Sequence, residues 1–369
     1  MTLVVVGVPG SRRVALFGAA VAAAGLPPAR LVPWADVLRG APSAFTSDDT
    51  VRVDSPGEDA EVDRLLRGGV EPTRVEGTAR WYAGVTAAVR RLGRAASDAG
   101  AVLLDDPEEL AVLFDKRWCH GELARGGVTV PASPTSGPGA PRVRGWEDVR
   151  SLMAGAGLRR AFVKIAHGSS ASGVLAVETA GGGRVRAITS VERAPSGHLH
   201  NSLRVRAYRS ERDVAAIVDA LAPDGLHVEQ WLPKARLRGR NADLRVVVVG
   251  GRATHLVVRT GSSPMTNLHL GGARGDLADA RQLAATAGGV LDDALRLCED
   301  AAARFPGTHC VGVDLLPLDR GRGFAVCEVN AFGDLLPGLT GLPGTPAEGL
   351  DTYGAQLAVR PLRGARAGA

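Results

Sequence analysis

Residues 311–330 read VGVDLLPLDRGRGFAVCEVN, two apolar runs joined by a short polar stretch with two glycines. Apolar runs of strand length flanking a Gly-containing turn describe a β-hairpin. With its turn centred near Gly321, Asp314 stands directly opposite Glu328. Like charges opposed across two strands destabilise the pair by about 0.2–1 kcal/mol, and by more where water is partly excluded. An apolar hairpin should therefore avoid the pairing unless a cation sits between the two carboxylates. Asn330, two residues beyond Glu328, projects to the same face because strand side chains alternate. Asp314, Glu328 and Asn330 are hard oxygen donors without His or Cys, a set that suits Mg2+ or Mn2+ holding a polyphosphate better than zinc or copper. The competing reading is a solvated face on which two acids repel weakly, and the apolar neighbours count against it.

Upstream, FVKIAHGSSASGV (residues 162–174) places Lys164 on a strand just before a turn containing Gly168, Ser169, Ser170, Ser172 and Gly173. Such a turn can present backbone N–H groups and hydroxyls to phosphate oxygens, with the lysine as a point charge. GxxxxGK[ST] is absent, so this is no Walker loop, and an ordinary Gly/Ser hairpin turn is the plain alternative. His167 reads as a turn or surface residue. DLRVVVV (residues 243–249) carries Asp243 and Arg245 on one face of an otherwise apolar strand, where they could pair with each other. Arg259 leaves the returning strand in a register that the uncertain turn length does not settle. Asn267 lies in TNLHLGG (residues 266–272), a Gly-flanked loop where it could equally cap a turn.

The chain has 369 residues, 45% of them hydrophobic, enough for two or three compact units with cores of their own. No apolar run approaches ~18 residues, and the apolar run of MTLVVVGVPGSRR precedes its arginines, the reverse of a secretory signal. A cytoplasmic location is the expectation. Cys119, Cys298, Cys310 and Cys327 are scattered with no CxxC pair, which encodes neither a disulfide framework nor a zinc site. The net charge of +5 is modest, and the arginines are spread along the chain. That argues against a nucleic-acid surface and suits acidic small ligands. Among 44 Lys plus Arg only Lys116, Lys164 and Lys234 are lysine. A lysine ammonium is a compact point charge that can sit on one phosphate oxygen in a cleft too narrow for a planar guanidinium. Lys116 and Lys164 are read in that way, whereas Lys234, in the polar loop PKARLRGRN (residues 233–241), reads as a chance survivor.

TLVVVGV and RRVALFGAAVAAAG form a βα opening ending at Gly25, and Gly7, Pro9 and Gly10 make a plain strand-to-helix turn, since GxGxxG is absent. The pattern loosens over residues 41–59, a helix runs roughly over residues 78–99, and the strand AVLLDD closes a first unit near Pro107. Residues 107–127 have continuous helical periodicity. A Gly/Pro-rich connector follows near 133–142, then alternating strand and helix patterns to the strand HVEQWL, a hairpin from Asp243 to Arg259, a long helix around 277–305 and the hairpin quoted above. The expected division is 1–107, 108–232 and 233–369, an α/β chain with α+β lobes.

Taken in order, DK, VK-x-x-x-GSSASGV, EQWL, DLR, TNLHLGG, GVDLL and EVNAFGDLLPG resemble the ATP-grasp superfamily over about residues 108–340. The likeness is greatest to ligases of the ribosomal-protein glutamate ligase, glutathione synthetase and D-alanine:D-alanine ligase kind. The resemblance implies an ATP-grasp fold with an N-terminal Rossmann-like pre-ATP-grasp domain. It implies that Lys116 and Lys164 reach ATP phosphates, that the turn holding Ser169, Ser170 and Gly173 closes over them, and that Asn267 belongs to the same nucleotide site. The strand VEQWL would be the hinge, clamping adenine through the backbone of Gln230, Trp231 or Leu232 with Glu229 nearby, and Asp243 would contact ribose. Asp314, Glu328 and Asn330 would hold Mg2+ or Mn2+, with Arg245 and Arg259 stabilising charge on the transferred phosphoryl group and on the tetrahedral intermediate.

The implied reaction joins a carboxylate to an amine through an acyl phosphate, at the cost of ATP. The partners would be small molecules or a peptide, with no nucleic acid and no membrane. Rival readings are a peptide-modifying ligase or macrocyclase, a kinase on the same fold, and a nucleotide-binding protein without turnover. The glutamate-adding relatives usually carry a basic residue two positions before the loop asparagine; this chain has Met265 there. Residues 42–100 match no partner. Arg12 and Arg13, at the mouth of the first βα turn, are candidates for a substrate carboxylate clamp, with ordinary surface arginines as the alternative.

Overall fold

Five successive residues of TLVVVG are buried, as a strand covered on both faces requires. A computed structural model describes residues 2–359 apart from 58, 70, 72, 169–171, 182, 334 and 335. The N-terminal part runs β1 (Thr2–Gly7), α1 (Arg12–Ala23), β2 (Arg30–Pro33), α2 (Trp34–Leu38), β3 (Asp49–Val53), α3 (Ala60–Arg67), α4 (Thr78–Ala99) and β4 (Val102–Leu103). Ser11 caps α1 by accepting the Val14 N–H, so the first turn is the plain strand-to-helix connection expected. The sheet is parallel, in the order β2-β1-β3-β4. Strand β3 lies in the segment where the sequence pattern loosened. Its DTVRV buries Asp49, which pairs with Arg30 (2.6 Å), and Arg52, which donates to Gln356 (2.8 Å) and lies 3.0 Å from Asp54. Buried charges disguise a strand as a loop.

The middle of the chain continues with α5 (Pro107–Leu113), α6 (Lys116–Arg125), α7 (Trp146–Gly155), β5 (Arg160–Ile165), β6 (Val174–Ala180), β7 (Arg184–Arg193), β8 (Leu199–Tyr208), α8 (Glu211–Leu221) and β9 (Leu226–Gln230). The helical periodicity of residues 107–127 is thus split in two. Asp115 leaves helical geometry and accepts the N–H groups of Arg117 and Trp118, starting α6 afresh. The sheet is antiparallel, in the order β8-β7-β6-β5-β9. Ala161, Val163 and Ile165 face the core made with α7 and α8. Phe162 and Lys164 therefore point the other way, into the cleft.

The last part comprises β10 (Arg236–Leu237), β11 (Arg240–Val249), β12 (Arg252–Gly261), β13 (Ala273–Gly275), α9 (Leu277–Thr286), α10 (Leu291–Ala302), β14 (Cys310–Pro317), β15 (Phe324–Ala331) and α11 (Thr352–Ala358). The long helix expected over 277–305 is broken at Gly288, whose φ of 86° ends α9 in the left-handed region. The sheet runs β13-β12-β11-β14-β15, with β10 beside β11.

Among the contacts that tie the parts together are two at the N-terminal part. Residues 73–75 pair with the start of β8, and the Asp224 carboxylate accepts the Gly77 and Ala79 N–H groups at 2.8 Å each, capping α4 in place of a side chain that Gly77 lacks. At the other end, α11 packs on α1, with Tyr353 edge-on to Phe17. Among the described residues no helix is long and apolar enough to cross a membrane.

Candidate functional site

Strands β14 and β15 pair so that Asp314 lies opposite Glu328, with a register shift immediately afterwards between Asp314 and Leu315. The expected opposition of the two carboxylates is therefore present. Asn330 lies opposite Gly312 and donates its Nδ2 to the Gly312 carbonyl at 3.3 Å, leaving its amide oxygen as acceptor. On the other side of β14, Arg245 of β11 is the cross-strand partner of Asp314, and Asp243 is the partner of Arg259 on β12. Asp243 and Arg245 do not pair with each other; each takes a neighbour on the next strand. Arg245 grips Asp314 through Nε (2.5 Å) and Nη2 (3.1 Å), while Arg259 bridges Asp243 (2.8 Å) and Asp314 (2.9 Å).

The middle sheet faces this row. Lys164 places Nζ 2.5 Å from Glu229 Oε1 and 3.4 Å from Cys327 Sγ, and the other Glu229 oxygen meets His227 Nε2 at 3.1 Å. Lys116, the first residue of α6 after its Asp115 cap, donates to the Gly168 carbonyl (2.7 Å) and to Glu328 Oε1 (2.5 Å). These side chains line an open cavity of about 850 Å3, its solvent-filled mouth included, whose apolar lining is Phe162, Val174, Leu232, Met265 and Leu316.

Lys116, Lys164, Glu229, Gln230, Leu232, Asp243, Arg245, Arg259, Asn267, Asp314, Glu328 and Asn330 are thus all brought to one cavity. Trp231 is not: its ring lies under the Arg160 guanidinium at 4.0 Å, on an adjacent outer cavity. Gly173 sits behind the lining, at φ 64°, where a Cβ would meet Ile165 at 2.9 Å. Ser169 and Ser170 lie outside the described residues. Arg13 pairs with Asp54 at 3.4 Å, and neither it nor Arg12 lines the cavity.

Of the three residues whose amides are expected at the hinge, Gln230 gives its amide to the Ala132 carbonyl (2.7 Å) and Trp231 to that of Arg160 (3.2 Å). The Leu232 amide takes no such partner among the described residues. Met265 packs with Phe162, Val174 and Ala176, so the position that is basic in the glutamate-adding relatives belongs here to the apolar lining.

Electrostatics hold these groups charged. Burial acts against the Lys164 ammonium, but the carboxylates of Glu229 and Glu328 more than offset it and keep its pKa above the ordinary lysine value. Burial likewise acts against the Glu229 carboxylate, and Lys164 and His227 outweigh it, holding Glu229 below the usual range. Asp314 is held low against burial by Arg245 and Arg259, and Asp243 by Arg259 and Lys234. Burial pushes the Cys327 thiol up to about 12, so it is a neutral wall of the site.

The reading of Lys234 as a chance survivor is corrected. Its Nζ lies 3.1 Å from Asp243 Oδ2 and 2.9 Å from Thr266 Oγ1, and with Lys116 and Lys164 it lines the cavity. All three lysines of the chain converge there. The depletion of lysine, applied to every survivor alike, was the signal that would have found it. Nothing in the sequence pointed to His227, whose Nε2 lies 3.1 Å from Glu229 Oε2.

No protein-family model matches the chain, and no curated protein matches it. Solved structures do. The D-cycloserine synthetase DcsG superposes with a TM-score of 0.54 at 16% identity, over 90% of this chain and 92% of that one. The ATP-grasp ligase PsnB, complexed with minimal precursor, Mg and ADP, superposes at 0.50 and 15% identity, over 95% and 94%. An ADP complex of purK, the N5-carboxyaminoimidazole ribonucleotide synthetase, superposes at 0.52 and 12% identity, over 89% and 69%. These superpositions over most of the chain show a shared architecture, and this chain has the ATP-grasp fold.

Proposed function

We propose that the chain is an ATP-dependent carboxylate–amine ligase that activates its carboxylate as an acyl phosphate. The observation that carries this reading is the convergence of Lys116 and Lys164 on one side, and Asp314, Glu328 and Asn330 on the other, around a single cavity whose lining is partly apolar. Phe162, Val174, Met265 and Leu316 suit a purine, and the Leu232 amide is the hinge donor available to its edge. The phosphate chain would lie between the Lys116 and Lys164 ammonium groups, near Gly168 and Ser172, with Asp243 and Asn267 toward the sugar. The three-part division at 107 and 232 belongs to this proposal, with the cleft between the second and third parts.

The donor set fits Mg2+ or Mn2+. Among the described residues no three His, Cys, Asp or Glu side chains form a metal-holding group. Asp314 and Glu328 nevertheless oppose each other with the Asn330 oxygen beside them, and such ions take the rest of their shell from phosphate and water. When bound, the ion supplies charge neutralisation for the transferring phosphoryl group. Arg245 and Arg259, fixed by Asp314 and Asp243, stand ready to stabilise charge that develops on the phosphoryl oxygens. A carboxylate oxygen of the substrate attacks the γ-phosphorus, the bond to the β–γ bridging oxygen breaks, and ADP leaves with that electron pair. The amine then attacks the acyl carbon, phosphate departs, and the amine gives up a proton. No protein nucleophile is required, because positioning and electrostatics supply most of the catalysis.

The test is ADP release from ATP and Mg2+ in the presence of pooled carboxylates and amines or peptides, with the product identified by mass spectrometry. Release should require an acceptable carboxylate and disappear in Glu328→Ala and Lys164→Ala; unchanged turnover in both variants would overturn the assignment. Hydroxylamine should trap the activated carboxylate as a hydroxamate, which a kinase that releases a stable phosphorylated product would not yield.

A further inference from the structure

We infer that Lys234 is a third phosphate-binding cation of this cavity, acting on the part of the nucleotide phosphate chain nearest the sugar; the inference rests on the reading above that the cavity takes a nucleotide. Lys234 follows the hinge, two residues beyond Leu232, and only 9% of its side chain is exposed. Its ammonium carries three donors, of which Asp243 and Thr266 engage two. The third is available to a ligand in the cavity that the residue lines.

Asp243 does not need this lysine for neutrality. Arg259 already donates to its Oδ1 at 2.8 Å, and the Thr266 hydroxyl donates to Oδ2. The ammonium is thus surplus to the carboxylate beneath it, as a cation kept for a ligand would be. Composition points the same way. Among the described residues five cations line the cavity, Lys116, Lys164, Lys234, Arg245 and Arg259, and they include all the lysines in a chain of 44 Lys plus Arg. Both arginines are locked onto carboxylates by their planar forks. The lysines stand where a compact charge must fit a narrow space. Position separates the three: Lys116 bonds Glu328 at the carboxylate end, Lys164 bonds Glu229 on the hinge strand, and Lys234 bonds Asp243, with Arg259 between it and Asp314. Met265 carries no charge on the covering loop, and Lys234 brings one to the next residue, Thr266.

The experiment is displacement of a fluorescent adenine nucleotide by adenosine, AMP, ADP and ATP, the last two with Mg2+, from the wild type and from Lys234→Met, with unchanged thermal midpoints as the check on folding. Lys234→Gln keeps donors toward Asp243 and Thr266 without the charge, and answers the question where the methionine variant folds poorly. The expected result is a loss of at least about tenfold in affinity for AMP, ADP and ATP, with adenosine changed by less than about twofold. An equal loss for adenosine and ATP would mean that Lys234 only supports Asp243, and no loss for any of them would mean that it binds nothing; either outcome overturns the inference. Failure of the wild type to bind any of the four would instead overturn the nucleotide reading.

Discussion

Lys116 and Glu328, 212 residues apart, meet across the cleft with Nζ 2.5 Å from Oε1. In the proposed reaction these two side chains serve different ligands, the lysine a phosphate and the glutamate a cation. Here they neutralise each other, and Asp314 is compensated in the same way by Arg245 and Arg259. Two opposed carboxylates are tolerated because each has its own cation. Nucleotide and metal ion must then divide these pairs between them, so each makes the other's site easier to fill.

Removing Glu328 should therefore have opposite effects on two measurements. Glu328→Gln frees the Lys116 ammonium, and binding of ATP in the presence of EDTA should tighten by about threefold to tenfold. Turnover with Mg2+ should be lost. Weaker metal-free binding in this variant would show that the ion pair does not restrain Lys116.

The Lys164–Glu229 pair is buried, with Glu229 only 1% exposed. Removing one partner of a buried pair leaves an uncompensated charge, at a cost of about 3–5 kcal/mol. Lys164→Met should lower stability to urea by that order, and Lys164→Met combined with Glu229→Gln should recover most of it. The pH dependence has a definite sign. The depressed Glu229 pKa contributes stability that is present above about pH 4.3 and is lost as pH falls through the folded-state value. The raised Lys164 pKa contributes stability that is present below about pH 10.4 and is lost as pH rises through the folded-state value.

Asp105 behaves in the opposite way. Burial raises its pKa to about 7, against the opposing charge of Arg52 and the hydrogen bond from Val53 N–H. Between about pH 4 and that value the folded chain holds a proton that the unfolded chain has lost, so stability falls as pH rises through this window. Asp105→Asn keeps an acceptor for Val53 and should flatten the decline. Its thermal midpoint at pH 8 should exceed that of the wild type by about 2 °C or more, and equal midpoints across the range would contradict the assignment.

The Asp224 carboxylate caps α4 from another part of the chain. Asp224→Ala should cost about 1–2 kcal/mol and speed amide hydrogen exchange at Gly77 and Ala79. Exchange unchanged at both amides would show that the cap carries no energy.

Much of the site was readable before folding was considered. Strand side chains alternate with a period of two, so placing Asp314, Glu328 and Asn330 on one face needs only a turn position. The same rule put Lys164 on the face opposite Val163. Of the three amides expected to meet adenine, those of Gln230 and Trp231 are taken by the carbonyls of Ala132 and Arg160, which are distant in sequence. The Arg259 register depended on a shift between Val247 and Val248 that no count of turn residues reveals. Strand β3 was hidden because it buries two charged residues, Asp49 and Arg52, whose hydrogen-bond partners Arg30 and Gln356 lie on other elements.

The amino-acid sequence alone determined which residue types are available, where strands and helices alternate, and that two acids must share a strand face with an amide. Those properties follow from local periodicity and from the chemistry of each side chain. Only the tertiary structure decided that Lys234 joins Lys116 and Lys164, that Lys116 closes on Glu328, and that Arg13 turns to Asp54 instead of the cavity. Pairing between charges depends on distances of a few ångströms across elements far apart in the chain, and those distances exist only once the sheets have packed.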